Sequence, residues 1–336
     1  MNNMKKIGLS ALAGSMVLTS ANAVDYGMSG GATIAFSSVD APSQGEATNG
    51  KGIGVATDLT FSASGELDNG YTVSFVQVID TNGALSNTSS QVAIGMGSLG
   101  SFHVNNKSGS MANGIDDVMP AAYNETWDGL ALTGDNPSFF GSGTASGSVD
   151  YRIPAMEMMG LTINAGATLD GAAGEGPASK GGVTTTSQSG TALTVKIAHE
   201  SGLEIGGGQE KIDNGTTAGA DEENVTAYAK YSMGPVSVGI QEAYQNSGAG
   251  AADNEADFWA IAYTAGNVSV SYGESNFSAH PSSGTAAPTE RQLDSVQISY
   301  TMGAMTIAGA LGETSNAGGI AGNTYEESEL SVSFAF

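Results

Sequence analysis

Carboxylates supply most of the chemistry open to this chain: Asp and Glu number 34 against 10 Lys and Arg, a formal net charge of −24. They are unevenly spread. Asp116, Asp117, Glu125, Asp128 and Asp135 crowd into residues 105–147, where Lys107 near the start of the stretch stands alone against them. Carboxylates gathered along a narrow, partly low-dielectric passage attract cations and raise the barrier to anions. On an open surface the same residues are ordinary solvated acids. A second set, Asp213, Asp221, Glu222, Glu223, Asp253, Glu255, Asp257, Glu313, Glu326, Glu327 and Glu329, offers the hard oxygen ligands that calcium and magnesium prefer. No EF-hand or glycine-aspartate nonapeptide repeat orders them. Calcium at the acidic loops is therefore the furthest a cofactor reading reaches, and no other cofactor is expected.

Other chemistries find less support. His103, His199 and His280 fall in three distant elements, and neither a Gly-x-Ser-x-Gly elbow nor a His-Glu-x-x-His pair occurs, so the chain is not read as an enzyme. A wall-embedded Ser/His hydrolase with His103 or His199 as base stays as the alternative. Cysteine is absent, which excludes disulfides, thiolate zinc sites and cysteine nucleophiles. With no basic patch and a strongly acidic balance, nucleic-acid binding is excluded as well.

The elements that position these residues begin after a leader. Lys5 and Lys6, the apolar run from Ile7 to Leu18 and then Ala21-Asn22-Ala23 form the three parts of a secretory signal peptide, expected over 1–23. The run is about 12 residues, against the roughly 20 a spanning helix needs. Loss of Lys5 and Lys6 with the leader takes the net charge from −24 to −26. Residues 24–336 then read as one β domain. The hydrophobic period is 2 almost throughout, as in Tyr26, Met28, Ala32, Ile34, Phe36, in Ile53, Val55, Leu59, Phe61, and in Val268, Val270, Tyr272. Each expected strand thus has one apolar face and one of small polar residues.

Connections alternate between two kinds. Short ones fall near 64–70, 97–101, 154–160, 200–203, 232–235, 264–267 and 301–304, and long polar ones near 38–50, 81–90, 105–147, 170–189, 210–223, 245–256, 274–291 and 312–326. Seven short and eight long connections imply sixteen antiparallel strands, with both termini at the short-turn end. Tyr231-Ser-Met-Gly-Pro-Val-Ser-Val238, Tyr263-Thr-Ala-Gly-Asn-Val-Ser-Val270 and Tyr300-Thr-Met-Gly-Ala-Met-Thr-Ile307 share one hairpin pattern. Alternation alone also fits a soluble two-sheet sandwich. Strict short-long alternation, however, is the asymmetry of outer-membrane barrels, and a closed barrel is the β-structure that satisfies every backbone group in lipid.

The chain ends Leu330-Ser-Val-Ser-Phe-Ala-Phe336, which resembles the terminal-strand signature read by the barrel assembly machinery, with Phe336 as its assembly signal. Gly147-Ser-Val-Asp-Tyr-Arg-Ile-Pro154, followed by Leu161-Thr-Ile-Asn-Ala-Gly, is similar to the strand that leaves the third loop in Gram-negative general porins of the alphaproteobacterial type. That family commonly has Asn where Gly147 stands.

The resemblance implies a sixteen-stranded transmembrane β-barrel in the bacterial outer membrane, with its long third loop folded into the lumen. It implies a homotrimer in contact with outer-membrane lipid and lipopolysaccharide, passing ions and small hydrophilic solutes by diffusion. The third long connection, 105–147, is the longest of the eight, far beyond the usual 4 to 6 residues. On the resemblance, Asp116, Asp117, Glu125 and Asp128 form the negative side of the constriction. Tyr123, Trp127, Phe139 and Phe140 are candidates to anchor the loop to the wall.

Alternation points Asp58, Arg152, Lys196 and Lys230 inward as pore-wall residues. Strands two to four supply no arginine, so the cationic wall familiar in the family is expected to be thin and the pore to prefer cations. The rival of another class is a closed or plugged barrel serving as a surface adhesin or receptor.

Overall fold

A computed structural model describes residues 25–41, 50–80, 86–106, 109–126, 147–170, 189–213, 221–248, 252–281 and 288–336. The expected leader, 1–23, lies outside the described residues. The alternating segments form β1 (Asp25–Asp40), β2 (Gly50–Glu66), β3 (Thr72–Asp80), β4 (Ser86–Gly95), β5 (Ser101–Asn106), β6 (Ser148–Arg152), β7 (Met156–Met158), β8 (Leu161–Asp170) and β9 (Ser189–His199). They continue as β10 (Leu203–Asp213), β11 (Glu222–Met233), β12 (Val236–Asn246), β13 (Asp253–Ala265), β14 (Val268–His280), β15 (Arg291–Met302), β16 (Met305–Ser315) and β17 (Thr324–Ala335).

Strands that follow one another in the chain pair antiparallel, β6 and β7 excepted, and β17 pairs back onto β1 from Gly31↔Ala335 to Asp40↔Glu326. Phe336 completes the seam: its N–H donates to Gly30 O at 2.8 Å and its carbonyl accepts from Gly30 N at 3.1 Å. β6 and β7 both pair with β8 and are two halves of a single stave. The sheet is therefore a closed barrel of sixteen staves, as the connection count implies, and it has no free edge to expose in lipid.

Proline explains the split stave. Pro154 has no N–H to give the ladder, so pairing lapses there and resumes at Met156. The connection expected over 154–160 is correspondingly shorter. It turns at Met159-Gly160, both with positive φ (54° and 78°), as a two-residue type I′ hairpin requires. The three repeated hairpins use the other primed turn. Gly234, Gly266 and Gly303 carry φ of 58°, 60° and 61°, and Pro235, Asn267 and Ala304 follow with ordinary φ.

Several strands also run further than alternation suggests. β14 continues to His280, past the long connection expected from 274, and β10 continues to Asp213.

The two faces of the wall are inverted relative to a soluble protein. Leu193, Ile240, Val296 and Leu311 are more than half exposed, whereas their neighbours Thr194, Gln241, Gln297 and Ala310 are at most 4% exposed. A soluble sandwich would cover the first set, which removes that alternative. Tyr231, Tyr263 and Tyr300 sit on the apolar face beside the short turns, where barrels place an interfacial aromatic girdle. Outward charges such as Glu242, Asp257, Glu274, Asp294 and Glu326 lie toward the long-loop ends of their strands. That spacing keeps charge out of the hydrocarbon, where even a lone Lys or Arg costs about 2–4 kcal/mol at the midplane.

Candidate functional site

The site is built where residues 109–126 meet the polar face of the wall. At their start, Asp150 of β6 is fully buried and gathers three donors. Its Oδ2 accepts from Met111 N at 2.9 Å and from Arg152 Nη2 at 2.8 Å, and its Oδ1 accepts from Thr168 Oγ1 at 2.7 Å. Arg152 Nη2 also donates to Gly109 O at 2.7 Å. Asp150 and Arg152 stand two residues apart on one strand and so share a face. Gly166 on β8 provides the room, since a Cβ there would come 2.4 Å from Met111 Sδ.

A short 3-10 turn, Asn113–Ile115, follows, with Asn113 N donating to Ser110 Oγ at 2.9 Å. Ile115, Val118 and Met119 then pack into a buried apolar cluster with Ala192, Tyr228, Ala243, Ala256, Phe258 and Ala260 of β9 and β11–β13. Small residues dominate on the wall side because the segment fills the space that larger ones would take. Gly239 is the extreme case, since a Cβ there would lie 2.8 Å from Met119 Sδ. Gln241 Nε2 donates to Ile115 O at 3.2 Å and Lys230 Nζ to Val118 O at 3.3 Å.

The far end is held by an amide clasp. Gln297 of β15, 2% exposed, accepts from Tyr123 N at 2.9 Å and donates to Asn124 O at 2.5 Å. Ala122 N donates to Ser271 Oγ at 2.8 Å, and Thr126 Oγ1 pairs with Ser295 Oγ at 2.7 Å. The Tyr123 hydroxyl donates to Glu329, whose other oxygen accepts from Ser37 Oγ at 3.0 Å. Burial, and then the Glu329 hydrogen bond, push the Tyr123 phenol above its ordinary value.

The acids expected at the constriction occupy different settings. Asp117 is exposed, and Asp116 is half-buried at the end of the 3-10 turn, its N–H donating to Asn113 O at 3.3 Å. Glu125 is 8% exposed, and its Oε1 accepts from Met119 N. Asp128, with Lys107, Trp127, Asp135, Phe139 and Phe140, lies outside the described residues. On the wall, Asp58 is exposed on the polar face of β2, directly opposite Asp80 of β3. Lys196 Nζ lies 3.1 Å and Lys230 Nζ 3.4 Å from the carboxylate oxygens of Glu204 on β10. Phe336 is 78% exposed.

Five working residues escaped the sequence reading as parts of this site: Asp150, Glu204, Gln241, Gln297 and Glu329. Strand parity alone places Asp150 on the face of Arg152. Glu204 becomes visible as a partner once the hairpin register sets it opposite Lys230.

The histidines have local partners. His103 Nε2 lies 2.9 Å from Ser101 Oγ and its Nδ1 3.1 Å from Gln91 Oε1; His199 Nδ1 lies 2.8 Å from Ser201 Oγ. Among the described residues no group of three His, Asp or Glu converges as a metal ion requires.

A family profile described as Gram-negative porin matches residues 8–336. Among solved structures, the chain is 17% identical to a porin refined at 1.8 Å, covering 93% of this chain and 100% of that one, with a TM-score of 0.62. An anion-selective porin from Comamonas acidovorans is 14% identical over 94% of this chain and 100% of its own, with a TM-score of 0.66. The trimer form of OmpT, an outer membrane protein of Vibrio cholerae, is 12% identical over 94% and 100%, with a TM-score of 0.63. No curated protein matches the chain by sequence.

Proposed function

The chain belongs to the Gram-negative porin family, an assignment that places its barrel in the bacterial outer membrane, and from that premise we propose that it is a water-filled, cation-preferring diffusion pore narrowed by residues 109–126. The observation that carries this reading is the set of hydrogen bonds from the polar face to that segment. Asp150, Lys230, Gln241, Ser271, Gln297 and Glu329 come from six different strands, and all reach the stretch from Met111 to Tyr123. The concave side of a closed ring is where so many staves converge on so few residues. The segment then acts as a shelf across the lumen, with Asp116 and Asp117 directly after its 3-10 turn. Glu125, turned onto Met119 N, serves as a brace for that shelf.

The sign of the selectivity follows from the balance of charges on the polar face. Its cations are Arg152, Lys196, Lys230 and Arg291, the first three beside Asp150 or Glu204. Asp58, Asp80, Glu210, Glu327 and Glu329 stand on the same face, and Asp117 is exposed on the segment. Carboxylates outnumber cations, which concentrates cations in a confined passage. The fold does not dictate the sign, as an anion-selective porin of the same architecture shows of its own chain.

A homotrimer is part of the proposal, supported by the trimer form of OmpT, and so is Phe336 as the assembly signal. No catalytic role is assigned.

Reversal potentials in a KCl gradient test the reading, comparing the native protein with Asp116→Asn/Asp117→Asn. The native potential is expected on the potassium side and the double variant's closer to zero. An anion-side native potential, or an unchanged value in the double variant, contradicts it.

A further inference from the structure

The polar face of β9–β11 holds a small constellation that the lysines alone do not explain. Glu204 is shared: one carboxylate oxygen lies 3.1 Å from Lys196 Nζ, and the other lies 3.4 Å from Lys230 Nζ and accepts from the Tyr228 hydroxyl at 3.1 Å. Register brings the four together, because Glu204 stands directly opposite Lys230, and Gly206 of the same strand directly opposite both Lys196 and Tyr228. Gly206 has a steric task here. A Cβ on it would come 2.6 Å from the Tyr228 ring, so glycine lets that ring lie flat across β10 and deliver its hydroxyl to Glu204.

Lys230 links this group to the shelf, since its ammonium also donates to Val118 O, one residue beyond Asp117. Two ammonium groups and one carboxylate thus face the passage beside the exposed Asp117, with a net charge of one positive unit in place of two. The Glu204 side chain is 16% exposed, that of Lys230 27% and that of Lys196 45%, so the carboxylate is set back in the wall and the ammonium groups lie at the edge of the water they act on.

We propose that Glu204 is a specificity-determining residue: by dividing its carboxylate between Lys196 and Lys230 it halves the positive charge that this lysine pair presents to the passage and holds the pore on the cation side. The inference rests on the pore reading above. A unit charge about 6 Å from an ion's path in a water-like dielectric changes that ion's local concentration by about threefold. Removing the Glu204 charge is therefore expected to lower the potassium-to-chloride permeability ratio about threefold or more.

The experiment measures reversal potentials of the full-length barrel in planar bilayers under a KCl gradient. It compares the native protein, Glu204→Gln, Lys196→Gln, Lys230→Gln and the double variant Glu204→Gln/Lys196→Gln. Heat-modifiable gel migration confirms that each variant is a folded barrel. Glu204→Gln should move toward chloride and each lysine variant toward potassium. The double variant carries the same net wall charge as the native protein and should return close to the native value, a rescue that a merely structural role for Glu204 would not give.

A folded, conducting Glu204→Gln barrel with an unshifted potential overturns the inference, as does a double variant no nearer the native value than Glu204→Gln itself. If Glu204→Gln does not fold, the lysine variants decide, and potentials that fail to move toward potassium overturn it. The native sign is a separate readout. An anion-side native pore whose Glu204→Gln variant moves still further toward chloride sinks the cation-preference reading and keeps Glu204 as a determinant.

Discussion

Tyr123 shows how a single residue can hold residues 109–126 to the wall. Its backbone N–H is taken by Gln297 and its hydroxyl by Glu329, so one residue ties the shelf to both β15 and β17. The phenol pKa is raised by burial and by that carboxylate. A raised value means the neutral, donating form is kept through the ordinary tyrosine range near 10, and the tie is lost only as pH climbs past the elevated value. Conductance of the native pore should therefore stay level up to about pH 10 and rise above it, whereas Tyr123→Phe should show the raised conductance at every pH. A flat native profile into strong alkali, with Tyr123→Phe identical to native, would argue against the tie.

Gln297→Ala removes the acceptor for Tyr123 N and the donor for Asn124 O together. Leaving such partly buried groups unpaired costs at most about 1–3 kcal/mol each, and the expected result is a larger, noisier single-channel current. At this scale the acids were readable from sequence and their partners were not. Asp116 and Asp117 advertise themselves by crowding. Gln241 and Gln297 look like any other polar residue in an alternating strand until the segment they clasp is in place.

Strands and turns were the most readable layer, and the exceptions have physical causes. Alternation marks a strand by the contrast between an apolar and a polar face, so the signal ends where the apolar face ends. In β14 the outward positions change from Val268, Val270 and Tyr272 to Glu274, Asn276, Ser278 and His280, yet the ladder with β13 continues to His280. The staves therefore outlast the apolar belt, and the periodic signal stops with the belt. Pro154 misled in the other direction, reading as the start of a turn when it interrupts a stave.

One consequence of the long staves is a row of carboxylates on the outer face. Glu274, Asp294, Glu313, Glu326 and Asp40 stand directly opposite one another on successive strands from β14 through β17 to β1. Like charges placed opposite are destabilising, by about 0.2–1 kcal/mol per pair. Asp294→Asn removes two such pairs and should raise the thermal unfolding midpoint at low salt, with the gain fading as salt screens the row. A lowered midpoint, or a gain indifferent to salt, would show that the row is not a source of strain.

For the molecule as a whole, ring closure explains the composition. Only 13% of residues are charged and the balance is −24, because sixteen staves turn one whole face toward lipid and leave charge to the lumen and the mouths. The strand number and the closed ring followed from counting short and long connections. The seating of residues 109–126 did not, because it depends on an alanine-rich patch, with Gly239, spread over β9 and β11–β13 that no local pattern in the sequence joins. Trimeric assembly predicts that conductance appears and closes in groups of three equal steps, and chemical cross-linking in detergent should trap a species three times the monomer mass.

A closed ring that encloses water rather than a plug must conduct. Single-channel recording of the purified native protein in planar bilayers should therefore show discrete, ohmic current steps that scale with bulk KCl conductivity; a folded, membrane-inserted barrel that gives no steps would mean that the ring is plugged.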